Sequence, residues 1–287
     1  MTEGPLTQRM FGPGSQPPDD TLDVLAVPRE VSTFRMPEVP PAADASALAR
    51  ARAIFEALHA KLARWNPAVE PQGPHADLGS VPADVLALVN QMLGEGEVSV
   101  LIAGLAGPEY RIQESVFTGL WRVCAFDRGI PVGDWIEAGP LPRAVLAAAR
   151  GAAHATLPAA TFPDGAMYSP ALLAEIAAQM GERRPGSRAH VVNLTLLPLS
   201  PEDHAAIDGA LPAGPVAIVS RGFGHCRIES TLARDVWRVG YFNSMNTPIL
   251  STIEVVDLPE VALAAPEDLE DSRDRLGELI AWLADAE

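Results

Sequence analysis

The sequence predicts an α+β fold in which two tandem homologous repeats, each of helices and an antiparallel sheet, form one pseudo-symmetric body after an extended Pro-rich arm. Two observations lead to this prediction. Short β-rich segments follow one another through connections that are too short for parallel pairing, and segments of helical spacing flank them. In addition, residues 111–123 align without gaps to residues 227–239.

The positions of proline and glycine and the spacing of apolar residues predict the first elements. Residues 1–45 hold eight of the 27 prolines and show no sustained apolar period, which is typical of an extended arm. Apolar residues then recur at helical spacing and predict a helix over 46–65, ended by Asn66-Pro67. A second predicted helix covers 82–93, with Gly94 just past its end.

Strands and further helices follow in the middle of the chain. A helix is predicted over 142–153, and another begins with Ser169 as its N-cap and ends at Gly181. The Pro/Gly-containing stretch 182–188 is the predicted boundary between the two halves. Runs of β-branched and aromatic residues between turn residues predict strands over 98–102, 110–117, 120–126 and 134–138.

The internal repeat sets the predicted organisation. Arg-Ile at 111–112 recurs at 227–228, and Trp-Arg-Val at 121–123 recurs at 237–239. Both segments recur at the same offset, 116 residues. A serine at position 200 is the predicted N-cap of the helix that opens the second copy. The predicted units are an arm over 1–45, a first repeat with its flanking helices over 46–181, a second repeat over 189–265, and an acidic C-terminal helix over 266–287.

Charge and composition exclude several classes of function. The net charge of −16 opposes nonspecific binding of nucleic acid and of anionic membranes, because both depend on clustered Lys and Arg. Hydrophobic residues make up 48% of the chain, which fits a globular core and not an acidic disordered protein. No secretory signal opens the sequence and no apolar run is long enough to span a membrane. We therefore expect a cytoplasmic protein.

The repeated hairpin supplies the candidate site. Arg and Trp are enriched at binding hot spots, so one hypothesis places them in a partner-binding groove between the copies. The alternative makes both tryptophans core anchors and leaves the arginines in ion pairs on the sheet surface. The candidate contacts of the groove are Arg111, Glu114, Trp121, Arg122, Phe223, Arg227, Glu229, Trp237 and Arg238.

Catalytic and metal chemistry have weaker support. His225-Cys226 is the one pair that suggests a metal ligand or a reactive thiol, but no partner lies at ligand spacing. Cys124 and Cys226 are too few for a structural zinc site or an iron–sulfur cluster. No motif of nucleophile, paired carboxylates or phosphate-binding loop is present. We expect no enzyme, no cofactor and no resident metal.

Three long segments resemble a known family. These are FGPGSQP at 11–17, RIQESVFTGLWRV at 111–123 and GFGHCRIESTLARDVWRVGYFN at 222–243. Together they resemble the HupH/HyaF family of hydrogenase expression/formation proteins, over most of the chain. The resemblance assigns no catalytic residue to this sequence.

The resemblance implies an accessory protein, a chaperone, in the maturation of an uptake [NiFe]-hydrogenase. Its implied partner is the precursor of the iron–sulfur small subunit before export, with other hydrogenase accessory proteins as further partners. Two alternatives stay open: a redox or metal-handling maturation factor that uses His225 and Cys226, or a factor that acts on the large subunit during assembly of the NiFe centre.

Overall fold

In the part of the chain that the structure describes, alternation of apolar and polar residues builds one ten-stranded antiparallel sheet, with six α-helices packed on it. The computed structural model describes residues 44–66, 69–70, 73–104, 107–222 and 225–285. The α+β class and the antiparallel pairing are confirmed. The strands are β1 (His75–Asp77), β2 (Val98–Ile102), β3 (Glu109–Glu114), β4 (Leu120–Asp127), β5 (Ile130–Ala138), β6 (His190–Asn193), β7 (Ala213–Ser220), β8 (His225–Thr231), β9 (Val236–Phe242) and β10 (Pro248–Val255).

The helices precede and follow the strands as the apolar spacing predicts. The Ser200 hydroxyl caps α5 by accepting a hydrogen bond from the Asp203 N–H. The Asp203 carboxylate accepts one from the Ser200 N–H, which completes a capping box. The predicted N-cap at Ser169 is wrong by one residue, because Tyr168 occupies that position and Ser169 begins the helix. The helices are α1 (Ala45–Leu62), α2 (Ala83–Leu93), α3 (Arg143–Ala152), α4 (Ser169–Glu182), α5 (Pro201–Ala210) and α6 (Pro266–Asp285).

The strand order is symmetric about the centre of the sheet, with corresponding strands of the two halves at equal distances from it. It is β1-β5-β4-β3-β2-β7-β8-β9-β10-β6, so two four-strand meanders meet where β2 pairs with β7. Val100 lies opposite Ile218 at this junction, and the pairing is antiparallel. The meanders are therefore related by a local two-fold axis through the centre of the sheet.

The registers inside the two meanders also coincide. Ile112 pairs with Val123 in the first, and Ile228 pairs with Val239 in the second, at the offset of 116. Such agreement fits the predicted internal repeat. Descent of both units from one duplicated sequence stays a prediction, as does the extended arm, because residues 1–43 lie outside the described part of the chain.

The two edge strands were not predicted from the sequence. β1 lies at one edge beside β5, and β6 lies at the other beside β10. Both are short and occur in stretches rich in turn residues, so neither shows an alternation long enough to indicate a strand.

Three apolar clusters hold the helices on the sheet. Cluster one joins α1, α2 and α6 to the first meander around Phe55 and Ile136. Cluster three joins α4 and α5 to the second meander around Ile176 and Ile253. Cluster two lies beneath α3, on the opposite face of the sheet, and contains both Trp121 and Trp237. The central strands are thus covered by α3 on one face.

A charged network ties α3 and the inter-repeat stretch to the second meander. Arg150 on α3 bonds to Asp235 at 2.7 Å and also pairs with Asp257. Asp257 in turn pairs with Arg183 at 3.1 Å and accepts the Gly186 N–H at 2.8 Å. These bonds fix the predicted boundary region against the sheet.

Among the described residues, no helix has the length and apolarity needed to cross a bilayer.

Candidate functional site

Among the helices that the structure describes, none covers one shared face of the four central strands. On the outer strands of that face, Ile136 packs under α1 and α2, and Ile253 packs under α4 and α5. The helix that reaches the central strands, α3, lies on the other face through Val145 and Ala149. We call this surface the central face. Arg111 is exposed, Ala217 is buried between its neighbours, and the other members are half-buried. The central face consists of Ser99, Leu101, Arg111, Gln113, Ala217, Val219, Arg227 and Glu229.

Strand register arranges the central face in two rows. Arg111 lies beside Leu101, Leu101 beside Ala217, and Ala217 beside Glu229. The second row crosses the same four strands and consists of Gln113, Ser99, Val219 and Arg227. The local two-fold axis exchanges the rows, so the two arginines lie at opposite corners. Three strand spacings separate β3 from β8, or about 14 Å.

Each corner arginine rests on an aromatic ring. The Arg111 guanidinium carbon lies 4.7 Å from the centroid of the Phe126 ring, and Arg227 lies 4.8 Å from that of Phe242. Arg111 also pairs with Glu109 at 2.7 Å, yet 64% of its side chain is exposed. Stacking over a ring restrains a long side chain while leaving its guanidinium edge available to a partner.

The other two candidate arginines anchor helices instead. Arg122 donates to Asn90 on α2 at 2.9 Å and to Asp134 at 2.6 Å. Arg238 donates to the Leu211 carbonyl, just past α5, at 3.0 Å and pairs with Asp208 at 2.7 Å. Burial lowers the pKa of Arg122 from its usual value. These pairs border the central face on its two sides.

The tryptophans lie on the opposite face, so the predicted mixed groove of Arg and Trp is wrong in composition. Trp121 is 0% and Trp237 is 1% exposed. Their indole N–H groups donate to the Gly139 carbonyl at 2.8 Å and the Val256 carbonyl at 3.1 Å. Successive strand residues alternate between faces, which separates each tryptophan from the arginine that follows it. The core-anchor alternative describes both tryptophans.

The remaining candidates divide between the two faces. Glu229 belongs to the central face and makes no ion pair within the described residues. Glu114 is buried on the other face, at 4% exposure. Phe223 lies outside the described residues. The sequence interpretation did not single out Phe126 and Phe242, although their separation of 116 residues and their spacing from Arg122 and Arg238 would have identified them.

His225 and Cys226 cannot serve one metal together. They are consecutive residues of β8, so their side chains leave opposite faces of the sheet. Cys226 is fully buried, and burial raises the pKa of its thiol to about 11, against a lowering contribution from the Tyr241 hydroxyl. No cluster of three metal-ligating side chains occurs among the residues that the structure describes. This geometry opposes the redox alternative.

Thiol reactivity tests that conclusion. We expect iodoacetamide at pH 8 to modify the half-buried Cys124 of the native protein and to modify Cys226 at least about 100-fold more slowly, because a buried, protonated thiol is a poor nucleophile. Mass spectrometry of timed samples measures both rates, and unfolded protein provides the reference. Equal rates in the native protein would contradict the burial of Cys226.

Comparison with known proteins gives a consistent result. A family model described as HupH hydrogenase expression protein, C-terminal conserved region, matches residues 48–158 and 166–283. The chain is 43% identical over 286 residues to the hydrogenase expression/formation protein HoxQ of Cupriavidus necator, covering 99% of each chain. It is 34% identical over 280 residues to the hydrogenase-1 operon protein HyaF of Escherichia coli, covering 96% of each.

A solved structure also matches part of the chain. The hydrogenase expression protein HupH from Thiobacillus denitrificans is 26% identical, with a TM-score of 0.37. The match covers 39% of this chain and 94% of that one.

Proposed function

Because the chain belongs to the family of HupH hydrogenase expression proteins, we propose that it binds the precursor of the iron–sulfur small subunit of an uptake [NiFe]-hydrogenase before export. A role in hydrogenase maturation follows from the relatives, which are hydrogenase expression/formation proteins that match this chain over 99% and 94% of its length. The proposed activity is that of a non-catalytic chaperone in the cytoplasm.

The central face is the observation that carries the proposal. It joins two ring-supported guanidiniums, those of the exposed Arg111 and the half-buried Arg227, to a strip of partly buried Leu101 and Val219 between them. Partner interfaces commonly combine an apolar centre with arginines held in place by aromatic rings. The open face lies between two helical layers, so an extended or partly folded precursor segment can lie across the strands.

Separate pull-downs with each hydrogenase subunit test this proposal. The full chain, immobilised, is incubated with the small-subunit precursor and, in a parallel experiment, with the large subunit. We expect retention of the small-subunit precursor. The double variant Arg111→Met/Arg227→Met removes both guanidiniums but keeps aliphatic packing on the rings, and we expect it to weaken binding at least about tenfold.

Arg64→Met provides the matched control, because Arg64 is an exposed arginine beyond the end of α1 and away from the central face. It should bind as the unsubstituted chain does. Unchanged binding by the double variant would reject the central face as the contact surface. Retention of the large subunit alone would favour the other candidate, action during assembly of the NiFe centre.

A further inference from the structure

A cavity of about 450 Å³ lies on the opposite side of the sheet from the central face. The start of β2, the end of β3 and the end of β7 form its floor, and residues 261–264 together with α6 form its wall. Its charged lining is unbalanced, with a single arginine, Arg275, against four carboxyl groups. These are Glu95, Glu97, Glu114 and Asp268.

Glu114 is the buried member of this lining. Its side chain is 4% exposed, and its Oε1 accepts the Gly119 N–H at 3.1 Å. Burial raises its pKa to about 7, although the Gly119 and Val98 N–H groups act in the opposite direction; the neighbouring Glu97 and Asp268 raise it further. Within the described residues no Lys, Arg or His pairs with it. Glu114 is therefore a buried acid that has no counter-charge in the described part of the chain.

Arg275 does not supply that counter-charge. It pairs with Asp271, one turn earlier on α6, at 3.7 Å. Its Nη1 donates to the Val116 carbonyl at 3.4 Å, and its guanidinium carbon lies 5.6 Å from the Phe117 ring centroid. These contacts hold Arg275 at the cavity wall and leave the carboxyl groups in excess.

The second meander shows that the fold does not require an acid at this position. Ser230 is the residue 116 positions after Glu114, and it is 2% exposed. Its hydroxyl accepts the Val216 N–H at 3.0 Å, where Val216 is the counterpart of Val98. A neutral hydroxyl therefore satisfies the equivalent backbone group. Burying a carboxyl there is costly, so its presence in the first meander alone points to a ligand of opposite charge.

We propose that this cavity binds the guanidinium of an arginine side chain from a partner protein, with Glu114, Glu97 and Asp268 as its carboxylate partners. Arg is more weakly hydrated than Lys and matches carboxylates with a planar fork of donors, which suits a partly buried acidic site. The cavity volume is in the usual range of small-ligand sites, about 300–1,000 Å³. This site is separate from the central face, and the inference stands without the proposed hydrogenase partner.

Binding should depend on pH in one direction. Guanidinium pairs with the ionised form of Glu114, so affinity should rise as pH increases through about 7 and level off above it. The other charged groups that face Glu114 are Glu95 and Glu97 before β2, and Asp268 and Arg275 on α6. The pKa of Glu114 in the free protein sets the upper end of the change, and a bound guanidinium lowers that pKa, so the change extends below pH 7.

Nuclear magnetic resonance titration of the full chain tests the proposal. The probe is N-acetyl-arginine amide, and the uncharged N-acetyl-citrulline amide of nearly the same shape is its control. We expect the arginine probe to shift the backbone amides of Gly96 and Gly119 and to bind at least about tenfold more tightly than citrulline. Equal affinities, or shifts elsewhere in the molecule, would overturn the proposal.

Variants separate the acid from the fold. Glu114→Ser introduces the residue of the second meander, and we expect it to lower affinity about tenfold or more and to abolish the pH dependence. Glu97→Gln, at an exposed position, should lower affinity without affecting folding. Glu270→Gln on the exposed side of α6 removes a carboxylate that does not line the cavity and should change nothing.

The same amides are followed with magnesium chloride alone. No shift is expected at concentrations where the arginine probe binds. Saturable shifts with Mg²⁺ and none with the arginine probe would identify a metal site and reject the guanidinium assignment. Because neither probe involves a hydrogenase subunit, failure here is distinguishable from failure of the proposed function.

Discussion

Trp237→Ala is expected to lower the free energy of unfolding by about 3–5 kcal/mol, the range for removing a buried aromatic side chain from a core. The indole is 1% exposed and lies in the apolar cluster beneath α3. Its N–H also donates to the Val256 and Asp257 carbonyls, at 3.1 and 3.2 Å. Alanine would leave both a cavity and unpaired carbonyl groups. Urea-induced unfolding followed by circular dichroism measures the difference.

Trp282→Ala is the control for this loss. Trp282 lies on α6 and is 45% exposed, so its removal should cost less than about 1 kcal/mol. Trp121→Ala should behave like Trp237→Ala, since the two-fold axis places both indoles in equivalent surroundings. A Trp237→Ala protein as stable as the Trp282→Ala protein would contradict the core assignment and revive the tryptophans as partner contacts.

Gly96→Ala and Gly214→Ala should each destabilise the chain by about 1–3 kcal/mol through overpacking. A methyl group at Gly96 would overlap the carbonyl oxygen of Ser115. At Gly214 it would lie 2.5 Å from the Ser230 hydroxyl oxygen and 2.9 Å from the Thr231 carbonyl oxygen. Backbone atoms cannot rotate away as a flexible side chain can, so one strand must move. Thermal unfolding of each variant measures the effect.

Gly181→Ala tests whether the cost comes from the contact or from the substitution itself. Gly181 lies near the end of α4, and an added methyl group would meet nothing within 4 Å. Alanine favours helix over glycine by up to about 1 kcal/mol, so this variant should be neutral or slightly stabilised. Destabilisation of all three variants to the same extent would mean that close strand approach is not the cause.

Much of the fold was predictable because its signals are local. Helical spacing placed α1, α2, α3 and α4 within a few residues, and the repeated Arg-Ile and Trp-Arg-Val segments indicated two similar sheets. The join between these sheets was not predictable. Val98–Ile102 and Val216–Ser220 are each apolar strands, but nothing in either segment indicates that they pair with each other. Pairing between strands more than a hundred residues apart depends on non-local contacts, which neither segment encodes by itself.

The candidate site was predictable in part. Five of the nine proposed contacts, Arg111, Arg122, Arg227, Glu229 and Arg238, occupy one face of the sheet. Alternation along β4 and β9 places Trp and Arg on opposite faces of the sheet, so strand geometry alone is incompatible with a groove that contains both. The acidic cavity gave no sequence signal, because Glu114 meets Asp268 only through the packing of α6.

The pairing of β2 with β7 has a consequence for assembly. A chain with only one meander would expose its first strand as a free edge, and the antiparallel, two-fold register seen here is one that such an edge can form with a copy of itself. When both meanders lie in one polypeptide, the pairing of their edge strands is intramolecular, and its effective concentration is on the order of millimolar. Closure of the sheet is then independent of how much protein the cell makes.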